Sequence, residues 1–119
     1  MNEVRLMNID VLSEEEKRDV LRCMRVILES NLIYDEEFET RVGLYREELR
    51  EIIDAWPPVG VIEENSVTYD GINGSLCEIC YGVAISELKP FGISRPEMTL
   101  IFRKMKYTVD QDSGTSHNA

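Results

Sequence analysis

Apolar side chains recur every three or four positions in three stretches of this chain, which predicts three amphipathic helices. The first begins at Ser13, where a Ser-x-x-Glu pattern matches a capping box, and ends near Ser30. The second runs from about Arg46 to Ala55, and the third begins at Ser94. The positions expected to face a core are Val20, Leu21, Met24, Ile27 and Leu28, then Leu49, Ile52, Ile53 and Trp56, and finally Met98, Ile101, Phe102 and Met105.

Shorter segments connect these helices. Asp35 is expected to cap a short helix from Glu36 to Val42, and Gly43 is expected to end that helix with a positive φ. Pro57 and Pro58 stop the second long helix, because proline lacks the amide that a helix needs. Two other segments are expected to be non-helical: residues 1–12 as an extended lead-in, and Val59 to Asn65 as a loop.

The stretch from Ser66 to Tyr81 has two interpretations. The Asp70-Gly71 pair favours a strand entering a hairpin turn, whereas the spacing of Tyr69, Ile72, Leu76 and Ile79 favours a helix that Gly82 would cap. Two glycines at 71 and 74 weaken a helix, but they also permit close approach by a neighbouring helix. The next segment, 83–90, is expected to be a further helical turn or a loop.

Two glycine corners align at a separation of 49 residues, with Gly43 matching Gly92 and Arg46 matching Arg95. This similarity indicates a duplicated helical unit, or only the general pattern of a glycine cap before an amphipathic helix. In both cases the prediction is an all-α fold, a compact single-domain bundle of about five helices with two similar glycine-corner units. The helical domain is expected to span residues 1–109, followed by a disordered tail over 110–119.

Composition adds a strong negative charge to this picture. The 119 residues include 23 acidic and 13 basic side chains, for a formal net charge of −10. That balance opposes nucleic acid and anionic membrane as partners, and it favours a basic protein partner or simply high solubility. Acidic residues are concentrated in the first three quarters of the chain. With no signal peptide and no stretch long enough to span a membrane, the chain is expected to be cytoplasmic.

Candidate chemistry is sparse. The three cysteines are expected to be reduced thiols. The Cys77-x-x-Cys80 spacing favours two small residues on a packed face over a zinc or redox motif. The single histidine, His117, falls in the predicted tail. The sequence therefore predicts no enzyme activity, no metal and no cofactor. Residues 38–53 resemble a helix-turn-helix, but the would-be recognition helix is acidic, which argues against DNA binding.

A small, acidic, helix-rich chain without catalytic motifs is similar to bacterial immunity proteins, and most similar to those of contact-dependent growth inhibition and related polymorphic toxin systems. The resemblance is one of type and covers most of residues 10–107. It implies tight binding to a basic cognate toxin domain, for instance a nuclease, which the acidic side chains would cover. The candidate contact residues are Asp35, Glu36, Glu37, Glu39, Glu47, Glu48, Glu51 and Asp54, with Tyr45, Tyr69 and Tyr34 as anchors or, alternatively, as buried tyrosines.

Two other functions stay open at this stage. A phage-type inhibitor could use the same carboxylates to mimic DNA and would compete with DNA for its target. A regulatory or adaptor domain could retain a degenerate helix-turn-helix without binding nucleic acid.

Overall fold

A computed structural model describes residues 3–110, which form six α-helices and a three-stranded antiparallel sheet. The elements in chain order are β1 (Glu3–Asn8), α1 (Glu14–Glu29), α2 (Asp35–Val42), α3 (Arg46–Asp54), β2 (Val61–Glu63), α4 (Val67–Cys77), α5 (Ile85–Leu88), α6 (Arg95–Met105) and β3 (Lys106–Asp110). A π-helical turn (Glu78–Gly82) continues α4, and 3-10 turns occupy Ile9–Val11 and Lys89–Phe91.

The all-α prediction is wrong in one respect, because the described residues include a sheet with strand order β2-β1-β3. The lead-in supplies β1, the predicted loop supplies β2, and β3 directly follows α6. Each strand pairs with a segment distant in sequence, for example Met7 with Ile62 and Leu6 with Tyr107. The strands have three to six residues, too few for a clear alternating pattern, so their pairing is not visible from local sequence.

The predicted boundary at 109–110 also falls inside an element. Asp110 is the last residue of β3 and lies opposite Glu3. The rest of the predicted tail, 111–119, lies outside the described residues.

Local capping signals explain how the long helices begin. The capping box of α1 is confirmed: the Glu16 amide donates to Ser13 Oγ (3.1 Å), and the Ser13 amide donates to Glu16 Oε1 (2.8 Å). The α6 cap is also confirmed by a bond from the Glu97 amide to Ser94 Oγ (3.3 Å). Asp35, in contrast, is the first residue of α2 rather than its cap, because Tyr34 occupies the capping position.

The ambiguous segment is helical, and the hairpin interpretation is wrong. Ser66 Oγ accepts the Tyr69 amide at the start of α4 (3.1 Å). Gly71 and Gly74 lie where α4 packs against α3 and α2; a Cβ at Gly74 would overlap the Val42 carbonyl oxygen. Gly82 is the last residue of the π turn, and Val83 rather than Gly82 occupies the capping position. A Cβ there would lie 2.7 Å from the carboxyl carbon of Glu78, so this glycine makes room for the buried carboxylate.

Helices α1 and α4 pack against each other at the centre of the core, and α3 packs against both. Side chains from all three, such as Met24, Ile27, Leu49, Ile72 and Leu76, have no accessible surface. Met7 and Ile62 close the core from the sheet. None of the helices in the described range 3–110 combines the length and apolar character needed to cross a membrane.

The two glycine corners share more than their sequence pattern. Gly43 and Gly92 both adopt positive φ, at 98° and 67°. Arg46 begins α3 and donates to the carbonyl oxygens of Leu28 and Ile33, near the end of α1. Arg95 begins α6 and donates to the carbonyl oxygens of Ile79 and Val83, around the end of α4 and its π turn. A glycine cap alone does not require such arginine contacts, and their recurrence supports the duplication hypothesis.

Arg46→Met is expected to lower the free energy of unfolding by about 2 kcal/mol, because two carbonyl oxygens lose their charged donors. The stability of Arg46→Lys should lie between those of the wild type and Arg46→Met. A lysine keeps the positive charge, but its ammonium group cannot reproduce the guanidinium fork that also bonds Asp35 (2.9 Å). Urea denaturation measures the difference. Arg50→Met, at an exposed position of the same helix, is the control and should change stability by less than about 0.5 kcal/mol. Equal effects at the two arginines would contradict the contacts described.

Candidate functional site

Acidic side chains from α2 and from the first turn of α3 surround a groove of ≈ 390 Å³. We call it the α2–α3 groove; its lining residues are Asp35, Glu36, Phe38, Glu39, Tyr45, Arg46 and Glu47. The reversal at Gly43 places the two helices side by side, as the contacts between Asp35 and Arg46 and between Glu39 and Tyr45 show. The fold therefore brings together carboxylates that are up to twelve positions apart in the sequence.

Of the eleven residues predicted to contact a partner, Tyr34 is exposed just before α2, and the other ten have different surroundings. Five of them line the groove: Asp35, Glu36, Glu39, Tyr45 and Glu47. Three others are exposed outside it: Glu37 on α2, and Glu51 and Asp54 on α3. The remaining two have structural roles. Glu48 is half-buried and accepts the Tyr45 amide at 2.9 Å, and Tyr69 lies in the core with 4% of its surface exposed. A partner could not reach Tyr69 on this surface.

Two of the three positive side chains of this segment are held by internal acceptors, and one of these, Arg46, also lines the groove and pairs there with Asp35 (2.9 Å). Residues 35–54 contain eight acidic side chains and three arginines. Arg41 pairs with the buried Glu78 across α2 and the π turn, and Arg46 donates to backbone carbonyls while its guanidinium lies 4.2 Å from the centre of the Phe38 ring. Arg50 is exposed on α3. Because two of the three cations are held by internal contacts, an approaching molecule meets mainly carboxylates.

Two aromatic side chains lie on the same part of the surface. Tyr34, just before α2, is 69% exposed, and Tyr45, just before α3, is 57% exposed. The Tyr45 hydroxyl donates to the Glu39 carboxylate, and that bond raises the pKa of Tyr45. In Tyr69, burial raises the pKa, and its hydroxyl has no hydrogen-bond partner in the described structure. Of the three tyrosines, only Tyr34 and Tyr45 are placed to act as partner anchors.

No family model, curated protein or solved structure matches this chain.

A second acidic groove lies between α1 and α6, with a volume of ≈ 520 Å³. We call it the α1–α6 groove; it is lined by Ser13, Glu15, Glu16, Asp19, Glu97, Leu100, Ile101 and Lys104. Lys104 Nζ bonds Glu16 Oε1 at 2.8 Å, and this contact, with the Ser13 amide, lowers the pKa of Glu16. Leu100 is 66% exposed. This site was not predicted from the sequence. The signal that could have indicated it is Leu100, an apolar residue that lies outside the predicted buried face of its helix.

The three cysteines are free thiols, and burial makes two of them, Cys23 and Cys77, weak nucleophiles at neutral pH. Burial raises the pKa of Cys23 to about 12 and also raises that of Cys77, so at neutral pH both are less ionised than an ordinary cysteine. Among residues 3–110, no three His, Cys, Asp or Glu side chains are arranged to hold a metal ion. His117 lies outside this range, so the expectation that the protein needs neither metal nor cofactor stays a prediction.

Proposed function

We propose that the protein is a non-enzymatic immunity protein, which binds and neutralises a basic toxin domain, such as a nuclease, through the α2–α3 groove. One observation carries the proposal. The fold gathers carboxylates from two helices around the exposed Tyr45, while Arg41 bonds the buried Glu78 and Arg46 bonds backbone carbonyl oxygens and the neighbouring Asp35. Such a surface attracts a cation-rich protein and offers little to a polyanion.

The arrangement fits both stages of association. Unpaired carboxylates such as Glu36 and Glu47 attract a positive partner over several ångströms and speed encounter. Tyr34 and Tyr45 offer apolar area with a polar tip, the kind of side chain that holds an interface once water is displaced. Phe38 forms an almost fully buried part of the groove lining.

The α2–turn–α3 unit has the connectivity of a helix-turn-helix, but its exposed side chains do not suit DNA. Glu47, Glu51 and Asp54 line the outside of α3, and phosphate groups would meet them at close range. A DNA-mimicking inhibitor would use the same carboxylates differently, since its target would be a DNA-binding protein and DNA would displace it.

Reversing the charge of Glu36 and Glu47 to Lys is expected to slow association with the partner about tenfold or more at low salt. Glu48 is left unchanged because its carboxylate accepts the Tyr45 amide. The matched control is Glu15→Lys with Glu97→Lys in the α1–α6 groove. All four positions lie in the first turn of a helix, and both variants shift the net charge from −10 to −6.

The partner is captured with the tagged protein from its own host cells, at low and at high salt, and identified by mass spectrometry. The wild type and the control variant should retain the same basic protein, and the groove variant should lose it while keeping its circular dichroism spectrum. If only the control variant fails to retain the partner, the binding site is the α1–α6 groove and not the α2–α3 groove. If the captured protein does not harm growth when expressed alone, the immunity function is wrong; displacement by DNA would favour the mimic.

A further inference from the structure

The two edges of the sheet are built differently. β2 has only three residues, and just after it the Glu64 side chain accepts the Arg5 amide at 3.0 Å, so this edge offers only a short length of backbone to another strand. β3 has five residues and, among the described elements, pairs only with β1. Open edge strands are templates for pairing with another chain, and they are usually protected by short length, inward charges or bulges. β3 has a regular ladder over its whole length.

The pairing of β1 shows which peptide groups of β3 point away from the sheet. The Arg5 amide and carbonyl both bond Glu64, so they point toward β2. Peptide groups alternate along a strand, so those of Val4 and Leu6 point toward β3 and bond their partners Val109 and Tyr107. It follows that the amide and carbonyl of Thr108 point to the open side of β3. The carbonyl of Lys106 does the same, while its amide caps α6 through Phe102.

The sequence of β3, Lys-Tyr-Thr-Val-Asp, is complementary to itself in the antiparallel direction. When two copies are centred on Thr108, Lys106 of one strand faces Asp110 of the other, and Tyr107 faces Val109. The register agrees with the backbone, because Thr108 must then form a hydrogen-bonded pair with its symmetry mate. Tyr107 and Val109 form the closer, non-hydrogen-bonded pair, which suits an aromatic and a β-branched side chain.

The face of the sheet that carries Tyr107 and Val109 is mostly apolar, so pairing of two β3 strands would place apolar side chains of the two copies side by side. Val4, Leu6, Val61, Tyr107 and Val109 lie on that face, and Val61, Tyr107 and Val109 are exposed. On the opposite face, Lys106 bonds Asn73 (2.9 Å) and lies over the Phe102 ring (4.6 Å). An ammonium group has three donors, so these contacts leave it able to bond a carboxylate opposite.

We propose that two copies of this chain associate through antiparallel pairing of their β3 strands, centred on Thr108, to form a continuous six-stranded sheet. The Thr108 pair supplies two backbone hydrogen bonds, and the two Lys106–Asp110 contacts select the register. This interface is separate from the α2–α3 groove, so each copy would keep its groove available, and the proposal can fail without affecting the proposed function.

The first test is sedimentation velocity of the full chain at concentrations up to about 0.5 mM, where even a weak small interface is populated. The wild type should show a concentration-dependent dimer. Thr108→Pro should raise the dissociation constant of the dimer at least about tenfold, because proline lacks the amide that points outward. The hydrogen bonds between β3 and β1 do not use this amide and should be kept. Thr108→Ser keeps the amide and should dimerise like the wild type. A wild type that stays monomeric throughout would overturn the proposal.

The second test addresses the register. Asp110→Lys should not self-associate, because it places a lysine opposite Lys106 of the other copy. Lys106→Glu should not self-associate either, because it places a glutamate opposite Asp110. An equimolar mixture of the two variants restores both opposite-charge contacts and should dimerise. Circular dichroism checks that each variant is folded. A mixture that stays monomeric while both variants are folded would overturn the Thr108 register, as would an Asp110→Lys dimer as tight as that of the wild type.

Discussion

Gly74→Ala is expected to lower the free energy of unfolding by about 3 kcal/mol or more, among the largest effects of any single methyl group in this protein. A Cβ at this position would overlap the Val42 carbonyl oxygen and lie 2.7 Å from its carbonyl carbon. Because the obstacle is backbone, relief requires α2 to move away from α4. Equilibrium urea denaturation, followed by circular dichroism, measures the loss.

Gly71→Ala, one turn earlier, separates the steric effect from the general effect of alanine in a helix. Its Cβ would meet the side-chain ends of Ile52 and Leu44, which can rotate aside. Alanine also favours a helix over glycine by about 1 kcal/mol, which offsets part of the strain. Gly71→Ala should therefore stay within about 1.5 kcal/mol of the wild type. If Gly74→Ala were no less stable than Gly71→Ala, the close packing of α2 on α4 would be wrong.

Arg41→Met is expected to destabilise the protein by about 3–5 kcal/mol, because it leaves the Glu78 carboxylate buried without its counter-charge. The Glu78 side chain is 11% exposed, and Gly82 leaves space for it against the π turn. The pair joins α2 to the end of α4. Thermal and urea denaturation at neutral pH measure the change.

A double-mutant cycle shows whether the loss comes from the orphaned charge. Glu78→Gln removes the charge and keeps the shape, so adding it to Arg41→Met should recover at least about half of the lost stability. Arg50→Met is again the surface control. A double variant no more stable than Arg41→Met would mean that the cost arises from lost packing of the arginine stem instead.

Both predictions concern the contacts that hold the candidate site in place. Gly74 and the Arg41–Glu78 pair fix α2 against α4 and its π turn, and α2 supplies one wall of the α2–α3 groove. Binding measurements on these variants should therefore be made only where circular dichroism shows the native helix content.

The sequence alone determined the elements whose signals are local. The Ser13 and Ser94 caps, the left-handed glycine at 43, and the buried faces of α1, α3 and α6 were all predicted, because caps and helical periodicity act within a few residues. The acidic side chains of 35–54 were also identified from their position and charge.

Only the tertiary structure decided the rest, because the deciding partners are distant in sequence. The three strands exist through pairing across 50 or more positions. The helical outcome at α4 depends on α2 and α3 filling the space that two glycines leave. Burial of Tyr69, and the inward direction of Arg41 and Arg46, depend on acceptors and neighbours that other elements supply. Local pattern assigns a residue to a face, but the neighbours assembled by the fold decide whether that face is buried or left for a partner.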